Sequence, residues 1–352
     1  MRVLITGGAG FIGANTADRL LSQGREVVLL DNLSRRGSAA NLEWLRRRHG
    51  GVGFERVDVR DYEALEGALE RHGPLDVVFH FAAQVAVTSS VADPREDFAI
   101  NAMGTLNLLE AVRRLGIDPV FLYTSTNKVY GAMQEVPIVE ETTRFRYADL
   151  PHGVAETMPL DFHSPYGCSK GAADQYVHDY QRIFGLRTIV FRNSCIYGPR
   201  QFGIEDQGWL AWFVIASLQD LPISIYGNGK QVRDVLYVDD LIDAMLMAVG
   251  RPDISGGQIY NIGGGPSNSL AVWTEFGPIL EEQLGRPVEV RHGEWRPGDQ
   301  SVYISDIRKA ARQLDWAPKV DPRAGIRRLF EWAAENQELL AHPEASGLES
   351  GD

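Results

Sequence analysis

The sequence predicts an α/β protein with a doubly wound parallel sheet and a smaller, interleaved C-terminal lobe. Short apolar runs, each long enough for one buried strand, alternate with longer helical patterns over residues 1–192. A glycine-rich turn joins the first run to the first helix, and an acidic residue follows the second run. This alternation is typical of a parallel sheet covered by helices on both faces, with ligands at the carboxyl ends of its strands.

The first strand is predicted over residues 2–5 and the first helix over residues 11–23. Glycines at a spacing of three lie between them. The first allows a sharp bend, the second lets a diphosphate approach the backbone, and the third lets the helix pack close to the strand. The helix N-terminus adds free N–H groups and a positive dipole end. The residues predicted to contact a dinucleotide here are Gly7, Gly10, Phe11, Ile12 and Gly13.

An acidic residue, Asp31, ends the second strand, which is predicted over residues 26–30. With Asn32 beside it, its carboxylate is expected to bind ribose hydroxyls and to repel a 2′-phosphate. Arg35 and Arg36 offer the alternative of a 2′-phosphate site, but the pattern favours NAD over NADP. Strand, turn, helix and acid together favour a Rossmann-type site over an unrelated glycine-rich turn.

Four further strands and four helices continue the alternation, and residues 35–40 are predicted to form an exposed loop. The strands are predicted over residues 52–57, 76–80, 119–123 and 187–192, and the helices over residues 41–49, 61–71, 97–115 and 166–184. Strand ends supply the remaining cofactor contacts, because small residues there let a dinucleotide lie against the backbone. The expected contacts are Asp58 and Val59 after the third strand, and Phe81, Ala82, Ala83 and Gln84 after the fourth.

The lobes are predicted to interleave. Residues 1–192 are expected to form the dinucleotide-binding domain, and residues 193–341 the substrate-binding lobe. Within residues 234–262, a helix over 234–249 and a strand over 258–262 are expected to return to the first domain. The Gly-, Ser- and Glu-rich tail, residues 342–352, is expected to be disordered.

Composition excludes several classes of function. The 352 residues carry 35 basic and 47 acidic side chains, a net charge of −12, which argues against nucleic-acid and anionic-membrane partners. No apolar run approaches a membrane span or a secretory signal. Two cysteines, Cys168 and Cys195, fit a reducing cytosol, and the scattered histidines predict no metal site. A cytoplasmic location is therefore expected.

A tyrosine and a lysine four residues apart, Tyr166 and Lys170, are predicted to share one helix face. Tyrosine is a poor base at neutral pH, and lowering its pKa from about 10 to about 7 takes about 4 kcal/mol. A neighbouring ammonium and a cationic nicotinamide ring are expected to supply that. Thr126, after the fifth strand, is expected to share the substrate's proton with Tyr166. The alternative is an ordinary surface pair on a helix.

These residues resemble those of the extended short-chain dehydrogenase/reductase family, and the resemblance spans residues 1–340. It implies that Thr126, Tyr166 and Lys170 form the catalytic triad. It also implies that Asn101 supports the lysine through water, the alternative being a local bond within its helix. Family members commonly pair helices across a two-fold axis, so a homodimer or homotetramer is expected.

Two arginines resemble those with which members of this family hold the diphosphate of a nucleotide sugar. Arg233 ends the stretch Gly-Asn-Gly-Lys-Gln-Val-Arg, and Arg296 begins Arg-Pro-Gly-Asp, which Asp299 completes. A planar guanidinium suits a diphosphate because it forms two parallel charge-assisted bonds. Either arginine alone is equally consistent with a surface charge.

Asn127 and Lys128 follow Thr126 where 4,6-dehydratases of the family carry Asp-Glu, so dehydration is disfavoured. Residues 124–131, 160–176, 200–209 and 227–234 resemble those of CDP-tyvelose (CDP-paratose) 2-epimerases. Cys195 replaces an Asn common in 4-epimerases, and we favour a packed small residue over a reactive thiol. His163 either lines the sugar pocket or caps its helix. The substrate residues implied are Thr126, Asn127, His163, Asn193, Arg233, Arg296 and Asp299.

The resemblance therefore implies an NAD-dependent epimerase that inverts C2 of a CDP-linked hexose or deoxyhexose through a 2-keto sugar. A UDP-linked 4-epimerase with the same residues is the alternative enzyme. A non-catalytic NAD sensor on the same fold is the alternative outside catalysis, although a sensor has no need of the Thr126, Tyr166 and Lys170 triad.

Overall fold

The computed structural model describes residues 1–295 and 299–341. Its strands are β1 (Arg2–Thr6), β2 (Glu26–Leu30), β3 (Gly53–Glu55), β4 (Val77–His80), β5 (Val120–Thr126), β6 (Ile138–Glu140), β7 (Phe145–Tyr147), β8 (Thr188–Asn193), β9 (Cys195–Tyr197), β10 (Ile223–Tyr226), β11 (Val232–Tyr237), β12 (Gln258–Ile262), β13 (Ser269–Ala271), β14 (Val290–Gly293) and β15 (Val302–Tyr303).

The α-helices are α1 (Phe11–Ser22), α2 (Ser38–His49), α3 (Tyr62–His72), α4 (Val87–Ala92), α5 (Pro94–Phe98), α6 (Gly104–Arg114), α7 (Ser164–Phe184), α8 (Trp209–Leu218), α9 (Val238–Val249), α10 (Pro252–Ser255), α11 (Phe276–Leu284), α12 (Arg308–Leu314), α13 (Pro322–Glu335) and α14 (Gln337–Leu340). A π-helical turn, Ala99–Met103, separates α5 from α6. Short 3-10 turns span Asn127–Tyr130 and Pro266–Asn268. None of the described helices is long and apolar enough to cross a membrane.

The central sheet has seven strands in the order β12-β8-β5-β4-β1-β2-β3, and every neighbouring pair is parallel. Its inner strands are almost wholly buried and mostly apolar because helices cover both faces. Val3, Leu4 and Ile5 of β1 are fully buried, and Val3 pairs with Val27 on one side and Val77 on the other. The predicted Rossmann-type doubly wound sheet is confirmed.

Residues after β8 build smaller sheets beside this one. Strand β11 pairs with β13, β15 and β9, while β10 pairs with β14. Strand β12 then returns to the central sheet beside β8, with Ile262 opposite Asn193. The β6–β7 hairpin lies in the segment before α7. The tail, residues 342–352, lies outside the described residues.

Two predicted boundaries were wrong, and one predicted helix is not a regular α-helix. The helix predicted from Asp234 begins at Val238, since residues 232–237 form a buried strand. Asp234 fits inside that strand because its carboxylate accepts backbone N–H bonds from Gly265 and Ser305, each at 3.1 Å. Helix α2 begins at Ser38, within the predicted exposed loop. The helix predicted over 97–115 contains the π-helical turn.

Candidate active site

One cleft brings the glycine turn, the tyrosine and the lysine together at the carboxyl ends of the central strands. The predicted residues that line it are Gly7, Gly10, Phe11, Ile12, Gly13, Phe81, Ala83, Thr126, Asn127, Tyr166, Lys170 and Asn193. The predicted residues that do not line it are Asp31, Asn32, Asp58, Val59, Ala82, Gln84, Asn101, His163, Arg233 and Asp299. Arg296 lies outside the described residues.

The glycine turn is closely packed against neighbouring backbone. Gly7 has a φ of 64°, and a Cβ there would lie 2.6 Å from the backbone nitrogen of Ala82. A Cβ on Gly13 would overlap the carbonyl oxygen of Gly7. No side chain caps the N-terminus of α1, where Gly10 is the N-cap residue. The first-turn N–H groups of α1 therefore suit a diphosphate.

Asp31 anchors this turn to the end of β2. Its Oδ2 accepts from the N–H of Ala9 at 3.0 Å, and its Oδ1 accepts from the N–H of Leu33 at 2.7 Å. Burial raises the pKa of the carboxyl group, and these backbone bonds oppose the rise. Each oxygen keeps a further lone pair, so ribose hydroxyls remain possible partners.

The predicted cofactor-contacting residues Asn32, Asp58 and Val59 contact other protein groups. The amide of Asn32 donates to Asp58 at 2.9 Å, and Arg60 holds the pKa of that carboxyl well below its usual range. Val59 is buried, and a Cβ on Gly104 would overlap its side chain. These contacts order the segments that follow β2 and β3.

Arg35 and Arg36 line the cleft, but protein groups bind both guanidinium groups. Arg35 donates to the side-chain oxygen of Gln207 at 2.7 Å. Arg36 donates to the carbonyl oxygens of Leu340 at 2.5 Å and Ala341 at 3.0 Å. This arrangement does not favour the alternative of a 2′-phosphate site.

Tyr166 and Lys170 lie in the first turns of α7. Lys170 is 3% exposed, its Nζ donates to the carbonyl oxygen of Thr124 at 2.7 Å, and the same atom lies 4.3 Å from the ring centre of Tyr123. Burial lowers the pKa of Lys170 to about 7, and the nearby carboxylates of Asp174 and Asp97 oppose the change.

The pKa of Tyr166 is expected to fall when the lysine and a cationic nicotinamide ring act together, and this stays a prediction. From the protein groups alone, burial raises this pKa to about 12, and the side chain of Thr126, within hydrogen-bonding reach, opposes the rise. The lysine bonds a carbonyl oxygen and has lost part of its tendency to be charged.

Asn101 lies in the π-helical turn, a feature often found at functional sites. Its amide nitrogen donates to Asp97 at 3.1 Å and to Ser169 at 3.0 Å, and its amide oxygen accepts from the N–H of Gln84 at 2.9 Å. The Asn101 amide thus joins the loop after β4 to α7. These direct bonds go to Ser169 and Asp97, and Lys170 is not among the partners.

The turn after β5 contacts the segment that contains Asp299. Asn127 donates to the side chain of Gln300 at 3.3 Å, and Gln300 donates to the carbonyl oxygen of Gly131 at 2.6 Å. Asp299 accepts from Arg233 at 2.7 Å. The predicted substrate residues Asn127, Arg233 and Asp299 therefore lie in connected segments.

Asn193 and His163 differ in how they meet the cleft. Asn193 pairs with Thr126 in the β5–β8 register, and its buried Oδ1 has no hydrogen-bond partner within the protein. That atom is available to a ligand in the cleft. His163 is exposed at the N-terminus of α7, and its side chain makes no capping bond. Neither alternative for His163 is supported.

Several cleft residues were not predicted from the sequence. Ser125 and Gln201 line the cleft and each carries a buried oxygen without a protein partner. Lys128 also lines it, although the sequence drew attention to this position only as a missing carboxylate. The sequence feature that could have identified them is their position at the carboxyl end of β5 or in the segment after β9. Cys195 accepts from the indole of Trp209 at 3.4 Å, and burial raises its pKa, as suits a packed thiol.

The arrangement suits proton transfer beside a bound dinucleotide. Thr126 and Tyr166 offer adjacent hydroxyls, Lys170 offers a buried amine, and the glycine turn lies in the same cleft. No group of three or more metal-binding side chains occurs in residues 1–295 and 299–341.

Comparison with known proteins places these features in a family. The family described as GDP-mannose 4,6 dehydratase matches residues 4–329. The chain is 44% identical to CDP-paratose 2-epimerase of Salmonella typhi over 339 residues, covering 95% of this chain and 99% of that protein. It is 33% identical to a putative UDP-glucose 4-epimerase of Methanocaldococcus jannaschii over 334 residues, covering 95% and 99%.

A solved structure gives the same result. The UDP-glucose 4-epimerase of Thermus thermophilus in complex with NAD aligns with a TM-score of 0.78 at 35% identity, covering 95% of this chain and 99% of that one. With the glycine turn, Tyr166 and Lys170 in one cleft, these matches confirm the resemblance found in the sequence. The chain belongs to the extended short-chain dehydrogenase/reductase family, in the group that the GDP-mannose 4,6 dehydratase description covers.

Proposed function

We propose that this protein is an NAD-dependent epimerase that inverts C2 of a CDP-linked hexose or deoxyhexose. One observation carries the proposal: Thr126 and Tyr166 share a cleft with the glycine turn, while Asn127 and Lys128 occupy the positions of the dehydratase carboxylates. The 44% identity to CDP-paratose 2-epimerase supports C2 and a CDP-linked substrate. The cofactor is NAD, as in the solved Thermus neighbour.

The proposed reaction has no net redox change. When bound, NAD would supply a hydride acceptor that is regenerated within each catalytic cycle. Tyr166 takes the proton of the C2 hydroxyl, with the Thr126 hydroxyl sharing that hydrogen bond. After the 2-keto sugar has turned its other face to the cofactor, Tyr166 gives the proton back. Lys170 contributes positive charge and a donor for the nicotinamide ribose.

The remaining predicted residues hold the ligands. The N–H groups at Gly10, Phe11, Ile12 and Gly13 receive the dinucleotide diphosphate, and Asp31 receives the ribose. Arg233, with Arg296, clamps the substrate diphosphate while the sugar turns. Asn193 supports a ligand site here, because the residue lines the cleft opposite Thr126 in the sheet and its buried Oδ1 has no protein partner.

We also propose that the two lobes bind different ligands. Residues 1–192 and 234–262 would bind NAD, and the rest of residues 193–341 would bind the nucleotide sugar. A homodimer or homotetramer is also proposed. Large apolar side chains exposed on neighbouring helices support it, namely Val91 of α4, Phe98 of α5 and Tyr176, Ile183 and Phe184 of α7.

A UDP-linked 4-epimerase is the second candidate, because relatives carrying that name match nearly the whole chain. Turnover of the purified protein with CDP-, UDP- and dTDP-linked hexoses, followed by proton NMR, tests the choice. Inversion at C2 of a CDP-sugar supports the proposal, and inversion at C4 of a UDP-sugar overturns it. Failure to turn over any nucleotide sugar would favour an NAD sensor.

A further inference from the structure

Lys128 lies in the cleft, two residues after Thr126. Its backbone N–H donates to the Thr126 hydroxyl oxygen at 3.2 Å, in the 3-10 turn that follows β5. The side chain is 27% exposed, so its amine is neither buried in the core nor free in bulk solvent. The backbone of this lysine is therefore fixed beside the proposed reaction centre.

Lys128 and Arg233 share one carboxylate oxygen. The Nζ of Lys128 lies 3.7 Å from Oδ1 of Asp299, and Nη2 of Arg233 lies 2.7 Å from the same atom. One carboxylate neutralises one of the two cations, and the second remains without a counter-charge from Asp299. Burial lowers the pKa of Lys128, with Arg233 adding to the effect and Asp299 opposing it. An anion bound beside them would stabilise both cations.

We propose that Lys128 is a substrate-binding residue that engages the substrate's diphosphate together with Arg233. This inference rests on the proposed nucleotide-sugar function and names a cation that function did not include. A diphosphate carries more than one negative charge, so it can engage two cations at once. The arginine would supply directed bonds and the lysine a compact point charge, with Asp299 holding the pair in place.

The same geometry separates this turn from that of a 4,6-dehydratase. A carboxylate at position 128 would face Asp299 across a short distance, where like charges repel. An ammonium there attracts Asp299 and a phosphate alike. The positive charge of Lys128 thus favours binding of the substrate's phosphates, whereas 4,6-dehydratases carry an acid at this position.

Binding of free nucleotides tests the proposal without requiring turnover. The holoenzyme with bound NAD would be titrated with CDP, UDP and dTDP, and with the nucleoside of whichever binds best. We expect Lys128→Met to weaken binding of the diphosphate by about 10-fold to 100-fold, the usual range for a lost bond to a charged group. Binding of the nucleoside should be unchanged, and Lys128→Arg should recover most of the affinity.

A matched control removes a lysine elsewhere. Lys319 is also ion-paired with an aspartate, Asp243 at 2.9 Å, and lies outside the cleft lining. Lys319→Met should bind the diphosphate as the unmodified protein does. Normal diphosphate binding by Lys128→Met would overturn the proposal, as would an equal loss of nucleoside binding. A preference for UDP over CDP would overturn the CDP assignment and leave the Lys128 result standing.

Discussion

The ammonium of Lys170 donates to the carbonyl oxygen of Thr124 at 2.7 Å, and so joins helix α7 to the strand that ends in Thr126. An ammonium has three donors, so two remain for a ligand. Burial lowers the pKa of this lysine to about 7, which means that its charge depends on what binds beside it. One N–H group of Lys170 thus holds two elements of the fold together, and the other two can bind a ligand in the cleft.

We expect Lys170→Met to lose both turnover and NAD affinity. The variant keeps the length of the side chain but removes the donors expected to reach the nicotinamide ribose. Retained cofactor and NAD titration measure the affinity, and initial rates measure turnover. Lys309→Met is the control, because Lys309 also donates to a strand carbonyl, Ile259 at 2.8 Å, outside the cleft lining. Unchanged NAD affinity in Lys170→Met would contradict this role.

Tyr166→Phe should lower turnover by roughly 10²–10⁴, the usual contribution of general acid–base catalysis. The ring and its packing remain, so binding of NAD and of a nucleoside diphosphate should change little. Tyr180→Phe is a suitable control on the same helix, since its hydroxyl donates to Glu110. Near-normal rates in Tyr166→Phe would remove the tyrosine from the mechanism.

Asp31→Ala should weaken NAD binding and reduce the preference for NAD over NADP. It should also lower the melting temperature, because the N–H groups of Ala9 and Leu33 lose their acceptor, at about 1–3 kcal/mol for each group left buried and unpaired. Asp321→Ala provides the comparison, since Asp321 accepts two backbone N–H bonds at the start of α13. Purified protein that retains NADP would contradict the role of Asp31.

His80 predicts how stability depends on pH. The ring lies between the hydroxyls of Thr6 at 2.7 Å and Thr105 at 2.9 Å, and Thr105 donates to the carbonyl oxygen of Asn101. Thr105 must therefore accept from the ring's Nε2–H, and Thr6 donates to Nδ1. Burial of this neutral ring lowers its pKa from 6.5 to about 3.

A folded-state pKa below the unfolded value means that protonation favours unfolding. The stabilisation from neutral His80 is fully present above about pH 6.5 and is lost as pH falls toward about 3. We expect the melting temperature of the protein to fall more between pH 7 and pH 4 than that of His80→Gln. Equal slopes for the two proteins in thermal unfolding would contradict the assignment.

The fate of the hydrogen at C2 tests the hydride mechanism. A CDP-hexose deuterated at C2 should keep its label in the epimerised product, because the hydrogen leaves to NAD and returns without meeting water. Mass spectrometry of the product in ordinary water measures this. Loss of the label would indicate proton abstraction. Retention at C2 with inversion at C4 would instead support the 4-epimerase.

The sequence predicted those features whose causes are local. Apolar runs and glycine spacing determine the β1-α1-β2 unit and the alternation of strands and helices, and the spacing of Tyr166 and Lys170 places them together in α7. It did not predict β11, because Asp234 is accommodated there by Gly265 and Ser305, far along the chain.

The hydrogen-bond partners of the site residues could not be predicted either, because they also lie far away in the sequence. The carbonyl oxygen that Lys170 binds lies 46 residues away in sequence, and the Ser169 hydroxyl that Asn101 binds lies 68 residues away. No periodicity reports which donor meets which acceptor across such separations. The π-helical turn around Asn101 likewise leaves the apolar pattern of the helix nearly unchanged.

The hydrogen bond from Asn127 to Gln300 and the ion pair of Lys128 with Asp299 constrain the design of chimeras between relatives. The turn after β5 and residues 299–300 contact each other through their side chains, so a change in one segment alters the contacts of the other. Grafting Asp-Glu onto positions 127–128 alone would bring one acid against Asp299 and another against Gln300, and would leave Gln300 without its present donor. A chimera designed to dehydrate its sugar would have to import both segments together.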